Sequence, residues 1–215
     1  MKSHAQKQRE MYEEQLLLEQ LKNKIPRCDK TNTWIFCCDI QKVFVPLVYN
    51  VESVIYAAKV MNQVSRIFDV PMIVTEQFPE KLGQTIPEVR DNLPKGQNIY
   101  SKSLFSMLTE EVKKELCLQP ERNQIILFGI ETHVAIQQTA LDAMDMGYTV
   151  HLLVDGTSSQ RELDRSISLK KLSSMGVLVT TTEAAIFEFM RDQQHVNFHA
   201  MLPTLKIPRP PQFPS

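Results

Sequence analysis

The sequence predicts an α/β domain of three layers, α/β/α, built on a six-stranded, mostly parallel, doubly wound sheet. Three observations carry that prediction. From Thr33 onward, apolar β-rich runs alternate with stretches of helical periodicity. The apolar runs are short and continuous, which indicates strands covered on both faces. With 215 residues and 43% hydrophobic content, the chain is long enough for one sizeable core.

In chain order, residues 5–25 read as a charged amphipathic helix with Met11, Leu18, Leu21 and Ile25 on one stripe, ended by Pro26. This extension, residues 1–30, precedes a main domain over residues 31–200. The first strand is expected at Trp34 to Cys38, and Cys37 and Cys38 in "TWIFCCD" are read there as small buried hydrophobes. A helix follows at Val51 to Phe68, then strands at Met72 to Thr75 and Ile99 to Ser101 and a helix at Glu110 to Leu116. The fourth strand, Gln124 to Phe128, runs into Gly129 and a helix over His133 to Met146, marked by Ile136, Ala140, Ala143 and Met144. Thr149 to Val154 and Val177 to Thr180 complete the strands, with helices at Arg161 to Ser174 and Thr182 to Arg191. From Pro203 to Ser215 the tail holds five of the twelve prolines and is expected to be an extended or disordered arm rather than regular helix, with residues 201–215 set apart as a Pro-rich C-terminal arm.

Charge and composition remove several classes of function. Lys plus Arg (24) nearly balances Asp plus Glu (25), so no excess basic field favours nucleic acid. No run approaches the roughly 18 apolar residues that cross a bilayer, and the acidic N-terminal stretch is unlike a targeting leader. A cytoplasmic location and no membrane partner are expected. The four cysteines, Cys28, Cys37, Cys38 and Cys117, form no CxxC pair and have no histidine at ligand spacing. Neither a disulfide scaffold nor a zinc site is expected, and six glycines without a phosphate loop give no sign of a cofactor.

In a doubly wound sheet, ligands bind beyond the carboxyl ends of the strands. Asp39, Glu76, Gln77, Lys102, the segment Glu131 to Ala135, and Asp155 follow successive strands. A carboxylate at the end of an apolar strand is costly unless paired or hydrogen-bonded, and Lys102 occupies the matching position on another strand. Such pairing tends to lower the Asp pKa, and structural ion pairs produce the same pattern. The strand-to-helix corner at Gly129 adds free backbone N–H groups able to hold an oxyanion. His133 is read first as a structural histidine, Phe78 equally as core, and Asp155 in "VDGTSS" as a cap on the next turn.

Five segments, "FCCDIQ", "VTEQFPEKLGQT", "KSLFSM", "FGIETHVAIQQTALDAMDMGYTVHLLVDGTSS" and "VTTTEAAIFE", occur in an order that resembles the isochorismatase-like hydrolase superfamily. The eukaryotic isochorismatase domain-containing branch is the most similar, over residues 33–198. The resemblance implies the Rossmann-like fold of that superfamily and, in its cysteine-using members, an Asp–Lys–Cys triad attacking an amide or related carbonyl carbon. Carried over, the Asp is Asp39 and the Lys is Lys102, but the cysteine position is Ala135, a methyl group. It also implies a non-proline cis peptide between Ile130 and Glu131, with the amides of Glu131 and Ala135 forming the oxyanion hole. Gln77, Phe78, Phe105 and His133 are the candidate substrate contacts, with Glu76 at the pocket mouth. Nicotinamidase-like relatives carry a metal on an Asp and several histidines, but no histidine lies between His4 and His133, so no such metal is expected.

Three readings of Ala135 follow. The chain is a small-molecule hydrolase whose nucleophile was exchanged, by natural loss or deliberately; this reading ranks first. Alternatively, it resembles true isochorismatases, which use the Asp as general acid on a vinyl ether without a corner cysteine and need a raised Asp pKa. Or it is a binding or scaffolding protein that keeps the pocket. A small-molecule substrate and homo-oligomers are the expected partners.

Overall fold

A computed structural model of the chain describes residues 26–211. The N-terminal helix expected over residues 5–25 lies outside the described residues, as do the last four positions of the tail. Six strands form one sheet: β1 (Thr33–Cys38), β2 (Met72–Gln77), β3 (Ile99–Lys102), β4 (Gln124–Ile130), β5 (Thr149–Ser158) and β6 (Leu178–Thr180). Their spatial order is β3-β2-β1-β4-β5-β6, and every pairing is parallel. All residues of β1 and β4 are buried, as the unbroken apolar runs require of central strands.

One face is covered by α1 (Val51–Phe68), the short α3 (Pro87–Arg90), α7 (Thr182–Met190) and α8 (Phe198–Leu205); α2 (Pro79–Leu82) is a single turn after β2. The other face is covered by α4 (Glu110–Cys117), a π-helical turn (Thr132–Ile136) that continues into α5 (Gln137–Asp145), and α6 (Glu162–Ser174). Helix α1 forms because Val54, Ala57, Ala58, Met61, Val64 and Phe68 return every three or four residues to one buried stripe. It ends at Asp69 in the left-handed region, whose N–H caps the Ser65 carbonyl. Alternation along each strand divides the core: Ile35, Ile126 and Leu153 pack toward α1, whereas Trp34, Leu127 and Leu152 pack toward α4 and α5. Connections among β1, β2 and β3 run over the first face and those among β4, β5 and β6 over the second. The winding therefore reverses between β1 and β4.

Two expectations are corrected. The tail is not extended from Pro203: α8 runs through it to Leu205, because a proline removes one N–H donor and Met201 and Thr204 still bury their side chains. Asp155 does not cap its own next turn; its carboxylate accepts the N–H of Thr182 at 2.8 Å and its hydroxyl at 3.0 Å, tying the start of α7 to β5.

Candidate active site

The reversal point brings the ends of β1 and β4 side by side, with Cys38 in register with Gly129. Gly129 has φ of 124°, and a β-carbon there would lie 2.1 Å from the Cys38 carbonyl oxygen, so only glycine fits. Immediately beyond, the Ile130–Glu131 peptide is cis. The chain then enters the π turn, in which the N–H groups of Val134 and Ile136 both donate to the Glu131 carbonyl.

Asp39 leaves β1 with φ of 51° and is 3% exposed. One carboxylate oxygen accepts the Thr75 hydroxyl at 2.7 Å; the other accepts Lys102 Nζ at 2.6 Å. Lys102 in turn donates to Gln77 Oε1 at 2.7 Å and to the carbonyls of Leu104 and Phe105 at 3.1 and 2.9 Å. A buried ammonium is tolerable only with such a shell of acceptors. Burial pushes Asp39 above the ordinary carboxylate range, while Lys102, Thr75 and Cys38 hold back the rise. Pairing alone was expected to lower this group; desolvation outweighs it.

The other candidate residues occupy distinct places. Gln77 is bound at both ends, through Lys102 and through its Nε2, which donates to the Ser103 carbonyl at 2.9 Å. The Glu76 carboxylate accepts the Thr85 N–H at 2.5 Å. Phe78 and Phe105 are exposed at 39% and 59%, leaving two aromatic rings on the surface beside the Lys102 loop. His133 is half-buried with Nδ1 2.9 Å from the Ser159 hydroxyl. It borders a shallow depression of about 420 Å³ lined also by Gln137, Leu163 and Asp164, which does not include Asp39 or Lys102.

Ala135 is 4% exposed and belongs to the same buried cluster as Cys38 and Met107. Thr139 joins it to the Lys102 loop, donating to the Ala135 carbonyl at 2.7 Å and accepting the Met107 N–H at 2.9 Å. Asp39 and Lys102 are thus in direct contact, and Thr139 ties the Ala135 backbone to the segment that follows Lys102. The sequence reading missed Thr75, Gln41 and Thr139. Gln41 grips the Gln77 backbone in both directions, its Oε1 accepting the N–H at 2.7 Å and its Nε2 donating to the carbonyl at 2.9 Å. For Gln41 the available signal was a polar residue two positions beyond Asp39 at the end of an apolar strand.

The model of the isochorismatase domain family matches residues 33–184. Isochorismatase domain-containing protein 1 of Danio rerio is 35% identical over 81% of this chain and 61% of its own length; that of Salmo salar is 36% identical over 88% and 65%. The chain thus spans under two thirds of those relatives. Isochorismatase domain-containing protein 2 of Xenopus laevis is 35% identical over 87% of this chain and 90% of its own. Among solved structures, the MAR1 ribonuclease of Caenorhabditis elegans superposes with a TM-score of 0.82 at 31% identity, covering 86% of this chain and 95% of that one. The YcaC product of Escherichia coli, described as an octameric hydrolase of unknown specificity, shares the fold with a TM-score of 0.75 at 22% identity, covering 85% and 90%.

Proposed function

The chain belongs to the isochorismatase family of hydrolases, and from that membership we propose that the rim joining β1 and β4 is a small-molecule site that has lost its attacking side chain. The observation that carries this reading is the buried Asp39–Lys102 contact at 2.6 Å, set beside the Gly129 corner. Asp39 is the proton-handling group, and Lys102 supplies positive charge without leaving its four acceptors. The Glu131 and Ala135 amides receive the oxyanion of an amide or related C–N substrate, and the exposed Phe78 and Phe105 rings give an incoming molecule apolar contact. A methyl at residue 135 cannot attack a carbonyl, so covalent turnover is absent while binding persists.

The test exchanges that methyl for a thiol. In a Cys117→Ser background, which removes the exposed cysteine, Ala135→Cys should become rapidly alkylated by iodoacetamide and gain amidase turnover. The gain should be on the order of 10⁴- to 10⁶-fold over the parent, the range a missing nucleophile costs. An unreactive thiol at 135, with no amide cleaved, removes the site from this rim.

A second reading draws on the raised Asp39 pKa. A protonated Asp39 can deliver its proton to the vinyl carbon of an enol ether; water adds to the resulting oxocarbenium carbon, and the hemiketal collapses to ketone and alcohol. That chemistry needs no cysteine. It predicts turnover of vinyl ethers by the chain as it stands, lost in Asp39→Asn and unaffected by Ala135→Cys. Testing structured and single-stranded RNA in the same panel decides whether the ribonuclease activity named for the Caenorhabditis elegans protein extends to this one. Self-association is part of the same proposal, supported by the exposed Leu104 and Phe105 beside the rim, and sedimentation velocity measures it.

A further inference from the structure

At the opposite, amino-terminal end of the sheet lies a second polar cluster, which the rim chemistry does not use. Cys28 precedes β1, His151 is the third residue of β5, and Glu188 lies in the last turn of α7. Cys28 is fully buried, His151 is 2% exposed and Glu188 is half-buried. The Cys28 sulfur, a His151 ring nitrogen and a Glu188 carboxylate oxygen all lie within 4.8 Å of one another. His151 Nε2 is buried without a hydrogen-bond partner among the described residues. An orphaned ring nitrogen in a core carries a desolvation cost that a ligand would offset.

We propose that Cys28, His151 and Glu188 form a divalent-cation site with zinc as its natural occupant. Thiolate, imidazole and carboxylate together make a donor set suited to zinc among divalent metals. With His151 neutral, the thiolate and carboxylate carry two negative charges, which a zinc ion cancels; a neutral site is the arrangement a low-dielectric interior accepts. Zinc bonds of about 2.0 to 2.3 Å place adjacent donors roughly 3.3 to 3.8 Å apart, so the three side chains need close by only about 1 Å. The Cys28 backbone N–H donates to Glu188 Oε2 at 2.8 Å, holding the carboxylate against the thiol-bearing residue. Burial keeps His151 below the usual imidazole range and thus neutral, the form that ligates. Burial and Glu188 together favour the protonated Cys28 thiol in the metal-free state, so binding must release that proton. Three protein donors leave one corner of a tetrahedron for water, on the partly exposed Glu188 side.

The full chain, stripped with a chelator, is titrated with zinc and, separately, with cobalt(II). We expect a single zinc to remain per chain after desalting, and cobalt to give the thiolate-to-metal charge-transfer band in the near ultraviolet. Cys28→Ser should abolish that band, while His151→Gln and Glu188→Gln should weaken zinc binding by at least roughly tenfold. Glu188→Gln changes a half-buried side chain, so it reports even where a core variant fails to fold. Asp39→Asn and Cys117→Ser should bind metal as the parent does, which separates this site from the rim and from the exposed thiol. A parent chain that retains no zinc and shows no charge-transfer band overturns the proposal. So does a band that survives Cys28→Ser and disappears with Cys117→Ser.

Discussion

Gly129 is the position where the smallest change should do the most damage. Its φ of 124° disfavours any β-carbon, and the Cys38 carbonyl 2.1 Å from that carbon would have to move, pulling β1 away from β4 beneath Asp39. Gly129→Ala should cost more than about 3 kcal/mol in denaturant unfolding. Asp39 gives a prediction of sign. Because burial raises its folded pKa, the folded protein holds the proton more tightly than the unfolded chain. The stability this contributes is complete below the unfolded value of about 3.9 and is lost as pH rises through the folded value. Asp39→Asn loses the Lys102 pairing by a fixed amount but cannot titrate. The stability of the parent minus that of the variant should therefore fall as pH rises above the unfolded carboxylate value of about 3.9 in urea titrations. A difference that grows with pH would mean that Lys102, not burial, governs this carboxylate. Asp39 and Lys102 could be read as partners from the sequence because Asp39 directly ends an apolar run and Lys102 holds the matching position on another strand. Cys28, His151 and Glu188 could not, since they are far apart along the chain and only the β1, β5 and α7 packing gathers them.

The segment from the π turn into α5 acts as a strut between the Gly129 corner and the loop after β3. Thr139, fully buried, is its fastening: it takes the Met107 N–H and gives its own proton to the Ala135 carbonyl. Thr139→Val keeps the shape and removes both bonds, leaving a buried N–H unpaired at a cost of about 1 to 3 kcal/mol. The loss should also appear locally, as faster amide exchange over residues 103–108, where the Leu104 and Phe105 carbonyls hold Lys102. If exchange there is unchanged while global stability drops, Thr139 supports only the core. Element legibility followed the same physics. Long amphipathic patterns such as Val51–Phe68 were readable to the residue, because burial on one stripe decides both type and length. The single turns Pro79–Leu82 and Pro87–Arg90 are too short to show a period, and α8 was hidden by Pro203, whose local propensity is overridden by packing against α1. The π turn was equally hidden, since one extra residue in a helical turn leaves the apolar spacing nearly unchanged.

The sheet divides the interior into two apolar clusters that touch only through its strands, which raises the question of whether they unfold together. Ile126 and Leu127 are neighbours on β4, yet Ile126 is buried toward α1 and α7 and Leu127 toward α4 and α5. Trp34, the single tryptophan, lies on the Leu127 side. If the clusters melted independently, a cavity cut at Ile126 would leave Trp34 fluorescence untouched. A parallel sheet forbids that, because β1 and β4 contribute alternate residues to both clusters and neither face survives loss of the hydrogen-bonded ladder between them. Ile126→Ala should therefore lower stability by about 2 to 5 kcal/mol and the melting temperature by roughly 5 to 15 °C. The shift must be the same by Trp34 fluorescence, which watches the opposite face, and by far-ultraviolet circular dichroism, which watches every element. Coincident curves would make the rim, built from the carboxyl ends of those strands, as stable as the whole sheet; a fluorescence transition left in place would split the domain along its β layer.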